Sequence, residues 1–499
     1  MKIALIIPRS GPANESSFYD YKFYSTFLLS NKYLSYFLAI PILASLTPPK
    51  HDIRIFDENI EDIDYEWKAD IAGISVRTMC ADRAYMISET YLKKGVKTVL
   101  GGIHPSMCPD EALQHCDTIV IGEAEEIWSR LLRDVEDGNL QKIYKSDNFA
   151  DLTRSPIPDR SVLSDRYLHD IVQTAKGCPF NCEFCTVHTF DGQKIRTKTV
   201  DQVIREIQNI NNSSSASYKT KRSVFFVDDN IIADKHFAME LFNALKPCNI
   251  NWMCQASINI SEDDELLRSM RESGCGAIFI GLESLSKDNL ESMHKKLNCR
   301  YDYRTSISTI QSYGILVHGS FILGYDSDCA TSFDDLVNFI QDTNLLMPLI
   351  NILTPFPGTK VFKRMEAERR LLHKNWSKYD SKHVVFKPAH MSPEELFDGY
   401  VHVVNSVYSF ESIYKKLIYY WDIDFWKYSN TQDPVKLKYR LLFAIRLCSL
   451  LISKNRARSR FIMKILPRVF DSRVRVSTIL ALMAFNDFAD SLGNGQSCS

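Results

Sequence analysis

"GCPFNCEFC", residues 177–185, places three of the chain's thirteen cysteines within eight positions, with an aromatic residue, Phe184, directly before the last. Three thiolates spaced C-x3-C-x2-C can wrap one face of a small inorganic centre. A [4Fe–4S] cluster held by only three of them keeps one iron open to a further ligand. A structural zinc ion takes four ligands, commonly from two separated C-x2-C pairs, and no second pair occurs here. A three-cysteine zinc site and a set of ordinary buried thiols stay open as alternatives by spacing alone. The remaining cysteines follow no pairing pattern, which argues against a secreted disulfide scaffold and leaves most of them as core thiols.

The strand ahead of this stretch sets its place in the fold. "IVQTAKG" (171–177) runs into the cysteines, and strand and helix signals then alternate through "TVDQVIREIQNI", "SVFFVDD", "DKHFAMELFNAL", "INWMCQAS", "GAIFIGLES", "LVHGSFILGY" and "LINILTPFPGT". Six such repeats read as a partial parallel (β/α)6 barrel of TIM type, with functional groups on loops beyond the strand C-terminal ends. The cysteines follow the first of these strands and therefore belong to that rim. The polar tract "NNSSSASYKTKRS" (211–223) reads as a surface loop without a part in the chemistry.

Upstream, "KIALIIP", "DIRIFDE", "DIAGISV", "KTVLGG" and "TIVIGE" alternate with helical stretches such as "CADRAYMISETYLKKG". This is the α/β pattern of a doubly wound, Rossmann-like parallel sheet. Ligands of such sheets bind beyond the strand C-terminal ends, which here carry "SVRT" (75–78), "GGIHPS" (101–106) and "GEAEE" (122–126). The proline-rich "DLTRSPIPDRSVL" (151–163) marks a linker. The expected divisions are a Rossmann-like domain over 1–145, a linker over 146–169, the barrel over 170–360 and a mostly helical C-terminal extension over 361–499. A net charge of -1 gives no electrostatic ground for a nucleic-acid partner. "MKIALIIPRS" is too short an apolar start for a signal peptide, and the apolar segments 36–46 and 441–452 fall short of a membrane span of about 20 residues, so a cytoplasmic protein is expected.

The cysteine motif in this setting resembles that of the radical S-adenosylmethionine (SAM) enzymes. The upstream domain, with GGIHPS and GEAEE, resembles the cobalamin (B12)-binding domain that precedes the barrel in one large subgroup. After the barrel, "LTPFPGT", "RMEAERRLL" and "YDSKHVVFKPAHMSPEEL" look like the extension of a branch that includes hopanoid C-methylases and bacteriochlorophyll C-methyltransferases. The resemblance spans about residues 1–410.

The resemblance implies that Cys178, Cys182 and Cys185 ligate a [4Fe–4S] cluster whose open iron chelates the amino and carboxylate groups of SAM. Electron transfer then cleaves SAM to methionine and a 5′-deoxyadenosyl radical, so the reacting species arises at a cofactor and no side chain is singled out as catalytic. Phe184 is expected against the adenine, Asp228, Asp229 and Asn230 near the amino group, Gln255 and Ser257 beside them on the third strand, and Glu283 at the ribose or amino group. Each has a plainer reading: core packing for Phe184, helix capping for the acidic pair, an internal salt bridge for Glu283. Cobalamin is expected against Ser75, Arg77, Thr78, Gly101, Gly102, His104, Gly122 and Glu123. His104 is a conceivable cobalt ligand, but a turn histidine beside Pro105 reads better as a hydrogen-bonding surface group. The D-x-H-x-x-G signature of many cobalamin proteins is missing, and "DKHFAM" (234–239) only begins like it. Base-off cobalamin without a protein histidine is the expectation.

The implied activity is cobalamin-dependent C-methylation of an unactivated carbon in a small or hydrophobic metabolite. The alternatives are a radical cyclase or rearrangement enzyme and, from another class, a zinc- or cobalamin-binding regulatory protein. The implied partners are a small-molecule or lipid-like substrate and an external electron donor such as flavodoxin or ferredoxin. The basic stretch "KNRARSRFIMKILPR" (454–468) reads first as a solvated helical face, with peripheral membrane contact as the sharper alternative.

Overall fold

In the computed structural model the described residues are 1–10, 33–212, 223–425, 437–451, 455–471 and 476–495; most of the polar tract at 211–223 lies outside them. Strands β1 (Lys2–Ile7), β2 (Asp52–Asp57), β3 (Ile71–Ser75), β4 (Lys97–Gly101), β5 (Thr118–Ile121) and β6 (Ile143–Lys145) form one sheet in the order β2-β1-β3-β4-β5-β6. Every pairing in it is parallel. Ile3, Ala4, Leu5, Ile6 and Ile7 are all fully buried, as a continuous apolar run must be when helices cover both faces of a sheet. The sequence pattern misses β6, whose three residues bury only Tyr144.

The chain then contributes β7 (Asp170–Val172), β8 (Ala175–Lys176), β9 (Arg196–Thr197), β10 (Ser223–Phe226), β11 (Asn251–Gln255), β12 (Cys275–Glu283), β13 (Leu316–Leu323) and β14 (Leu349–Ile352). Six of these make a second parallel sheet in the order β14-β13-β12-β11-β10-β7. Each strand lies beside its predecessor in sequence, which gives the partial barrel. Trp252 anchors its core, edge-on to Phe226 and stacked on Phe242.

"IVQTAKG" is not one strand. After Val172 the chain leaves the sheet, and β8 pairs antiparallel with β9. This ribbon closes the base of the loop that carries the cysteines, and Cys178 N–H donates to Gly192 O across it. Gly177 has φ +92°, and a Cβ there would stand 2.5 Å from Lys194 O, so only glycine lets the two arms approach.

The extension is mainly helical, with helices at Pro393–Val407, Phe410–Asp422 and Val476–Gly495 among others. These share the barrel's core, Tyr408 stacking on Phe485 at 4.6 Å. Another stretch of the extension, with Trp376, Tyr379 and Val385, joins the core of the N-terminal sheet. Among the described residues no helix is long and apolar enough to cross a membrane.

Candidate active site

A cavity of about 540 Å³ opens at the C-terminal ends of the barrel strands and is lined by Cys178, Cys182 and Cys185 together. Burial pushes all three thiols up, that of Cys185 to about 12. Loading a metal centre must therefore release their protons. Among the described residues no three cysteine, histidine or acidic side chains close on a point that a single ion would fill. Three thiols on one cavity wall are a donor set that a [4Fe–4S] cluster with one open iron would take.

Phe184, Asp229, Asn230, Gln255, Ser257 and Glu283 line the same cavity. Asp229 Oδ2 is buried without a hydrogen-bond partner. Burial raises its carboxyl to about 7, with Asp191 and Asp228 adding repulsion. An unpaired acceptor beside the cysteines is the feature a cationic amino group would satisfy. Asn230 and Ser257 bond reciprocally, Nδ2 to Oγ and N–H to Oδ1, each at 3.1 Å, so β10 and β11 hold each other's rims. Glu283 sits at a bulge in the β12–β13 ladder with φ +66°, a conformation of order 1 kcal/mol or more above its alternatives. Its carboxylate accepts from Lys295 Nζ at 2.5 Å, so the internal salt bridge is present and lies in the cavity wall.

Asp228 is not on this wall. Its buried carboxylate accepts from Thr174 N–H, Thr174 Oγ1 and Ala175 N–H at 2.6–2.7 Å. It ties β10 to the chain entering the cysteine loop, a placing role where cofactor contact is the sequence expectation.

Sequence reasoning missed Lys295, His294, Asn298 and His188, all of which line the cavity. Desolvation pulls the Lys295 ammonium down, but Glu283 and the cysteine side chains more than offset it and hold it above the usual lysine range. Its Nζ lies 6.0 Å from the centre of the Phe184 ring. Asn298 Nδ2 donates to Gly281 O and fixes the bulge. The available signal was the polar run "HKKLN" (294–298), which no strand or helix pattern absorbs.

A second cavity, of about 270 Å³, opens at the C-terminal edge of the N-terminal sheet. Ser75, Gly101, Gly102, Gly122 and Glu123 line it, with an apolar floor that includes Ile40, Leu43 and Trp128. A Cβ added at Gly122 would meet nothing within 4 Å and would stand in open space. The bare backbone at Gly122 thus leaves room at the rim for part of a bulky planar group, which fits the corrin or the nucleotide tail of cobalamin. Glu123 is already engaged, by Arg196 at 2.9 Å, Lys176 at 3.1 Å and the Ala150 N–H at 2.6 Å.

Arg77, Thr78 and His104 lie off both cavities. The Arg77 guanidinium covers the Phe37 ring at 4.4 Å, and Thr78 is buried at the start of a short 3-10 turn. His104 is no surface residue: it is fully buried, its Nε2 3.0 Å from Tyr85 Oη and 3.4 Å from Glu111 Oε1, with Trp376 edge-on at 5.1 Å. Two residues before it the chain turns at Gly102, φ +101°, where a Cβ on the glycine would stand 2.9 Å from Val76 O.

Three family models match successive parts of the chain: a B12 binding domain over residues 45–132, the radical SAM superfamily over 172–340 and a domain of unknown function over 359–489. Bacteriochlorophyllide d C-12(1)-methyltransferase of Chlorobaculum tepidum is 32% identical over 388 residues, covering 76% of this chain and 84% of that protein. Hopanoid C-2 methylase of Rhodopseudomonas palustris is 30% identical over 350 residues, 66% of this chain and 64% of that one. The cobalamin-dependent SAM radical enzyme OxsB, solved with aqua-cobalamin and SAM bound, shares the fold with a TM-score of 0.60 at 13% identity, over 98% of this chain and 79% of its own.

Proposed function

This chain belongs to the radical SAM superfamily, to the group that carries a B12-binding domain and includes the bacteriochlorophyllide methyltransferases, and from that premise we propose that it methylates an unactivated carbon of a small apolar molecule. The observation that carries this reading is the shared wall of the larger cavity, where the three thiols, the unpartnered Oδ2 of Asp229 and an apolar lining of Phe225, Phe279, Ile322 and Leu353 meet. When bound, the [4Fe–4S] cluster supplies an electron to SAM and cobalamin supplies a methyl carrier.

The chain's own side chains do the placing. Cys178, Cys182 and Cys185 hold the cluster, Asp229 accepts hydrogen bonds from the SAM amino group, and Phe184 packs against the adenine. Glu283, held by Lys295, is set to accept from the ribose. The apolar half keeps water from the reacting carbon and selects a hydrophobic substrate. Ser75, Gly101, Gly102 and Gly122 cradle cobalamin at the smaller cavity. A cytoplasmic setting with a flavodoxin or ferredoxin as electron donor accompanies this reading, and peripheral membrane contact belongs to it through Arg456, Arg460 and Lys464, exposed with Met463 on one face of the Arg456–Ile465 helix.

Anaerobically reconstituted protein, given SAM, a low-potential reductant and an extract of apolar metabolites, is expected to form 5′-deoxyadenosine, S-adenosylhomocysteine and a product heavier by one methylene unit. Conversion without that gain in mass assigns cyclisation or rearrangement instead. Replacing Cys178, Cys182 and Cys185 together by alanine abolishes iron binding and 5′-deoxyadenosine formation, whereas Cys275→Ala, buried at the start of β12, leaves both. Reductive SAM cleavage by the triple variant would refute the ligand assignment.

A further inference from the structure

Glu183 lies between the second and third cysteines, its side chain only 9% exposed. A buried carboxylate beside three thiolates and a cluster is a repulsive arrangement unless a cation compensates it. The cation comes from the first helix of the C-terminal extension, Lys360–Ala367. Arg364 grips Glu183 in a fork, Nε to Oε1 at 2.7 Å and one terminal nitrogen to Oε2 at 3.3 Å. Its other terminal nitrogen donates to Asp326 at 2.8 Å, and Arg370 donates to the second oxygen of Asp326 at 2.7 Å. Arg370 also donates to Glu368 at 3.1 Å, and Glu368 lies 3.7 Å from Arg364, so three carboxylates face two guanidinium groups and the set carries one net negative charge.

The same helix also holds the backbone of the loop. Val361 N–H donates to Glu183 O at 3.2 Å, while Glu183 N–H donates to Met293 O at 2.9 Å. Glu183 is therefore held by its amide, its carbonyl and its carboxylate, two of the three from the matched domain of unknown function.

We propose that Arg364 is a positioning residue for the cluster: through Glu183 it fixes the ligand loop and sets the local charge that the cluster experiences. The proposal rests on the three cysteines holding a [4Fe–4S] cluster. Cluster potentials follow net charge and hydrogen bonding around the sulfurs. Glu183→Gln removes one negative charge from the set while Arg364 keeps Asp326, which favours the more negative, reduced cluster and raises the midpoint potential. Arg364→Met leaves an unpaired carboxylate and lowers it. Arg364→Lys keeps the charge but loses the fork, so the potential stays while the loop loosens.

The test uses the full-length protein, reconstituted anaerobically, in a redox titration followed by electron paramagnetic resonance without SAM. Cluster loss to a chelator is timed in parallel. Opposite shifts of the midpoint for Glu183→Gln and Arg364→Met are expected, with chelator loss several-fold faster in Arg364→Met and Arg364→Lys than in wild type. A role confined to packing would move both midpoints the same way, and that result, or no shift, overturns the proposal. Should Arg364→Met fail to fold, the near-isosteric Glu183→Gln against Arg364→Lys still decides it: the first raises the midpoint and the second does not. A wild-type chain that takes up no iron would instead sink the cluster assignment itself, so the two failures are distinguishable.

Discussion

At the scale of single residues, burial decides what a titratable side chain is for. His104 is the imidazole a reader of the sequence would offer to cobalt, yet its ring is enclosed by Tyr85, Glu111 and Trp376. Tyr85 and Glu111 engage Nε2, Nδ1 is buried, and Trp376 Nε1 donates to Glu111 Oε1 at 2.7 Å, which ties the N-terminal sheet to the extension. The spectrum of the cob(II)alamin form is therefore expected to lack nitrogen superhyperfine splitting from the protein. His104→Ala should leave that spectrum alone and cost about 1–3 kcal/mol of stability, the penalty for stranding buried polar partners. Electron paramagnetic resonance and thermal melting of one preparation check both halves. Splitting that vanished in the variant would make His104 a ligand after all.

At the scale of an element, the helix Phe410–Asp422 holds an anomaly. Lys416 is 2% exposed, and its Nζ donates to Val407 O at 3.3 Å. Burial lowers its ammonium to about 7. A base with a depressed folded value is neutral in the native chain and still protonated in the unfolded one between about pH 7 and 10. The unfolded state binds the extra proton there, so the contribution of this group to stability rises with pH across that window. Lys416→Met should remove the rise and stabilise the protein near pH 7 by roughly 2–4 kcal/mol. Denaturant melts at pH 7 and pH 9.5 check it, and a variant as pH-dependent as wild type would contradict it.

At the scale of the whole molecule, the two candidate cofactor sites are joined by charge. Glu123 and Glu125, on the rim of the smaller cavity, meet Lys176 and Arg196, which stand on the ribbon below the cysteine loop. All four are at least four-fifths buried, so their pairs are far less screened than surface ion pairs. The packing of Met107 against Gly358 adds a second tie, since a Cβ at Gly358 would stand 2.3 Å from the Met107 sulfur. Arg196→Met breaks the first tie at its centre. It should speed protease cleavage within 146–169 and weaken cobalamin retention several-fold, read by gel filtration of the loaded protein. Unchanged cleavage and retention would mean that the ion network does not hold the two parts in register.

Local signals along the chain carried most of the architecture. The alternation of strand and helix, the C-x3-C-x2-C spacing and the strand-end positions of Asp229, Asn230 and Glu283 are all readable because each depends on neighbours a few residues away. They were enough for two parallel sheets in series and for six of the seven expected SAM-contact residues to meet in one cavity. Asp228 escaped because two adjacent acids on a strand end differ only in which face they turn to. Lys295 and Arg364 escaped for a longer-range reason: Lys295 meets Glu283 across 12 residues and Arg364 meets Glu183 across 181. Pairings of that kind are made when separate elements pack, and one sequence holds no periodicity that records them. The sequence by itself determined where the thiols stand and which strands present them. Which charges surround them was decided by tertiary packing, because low-dielectric burial gives each close pair a weight that no local pattern encodes.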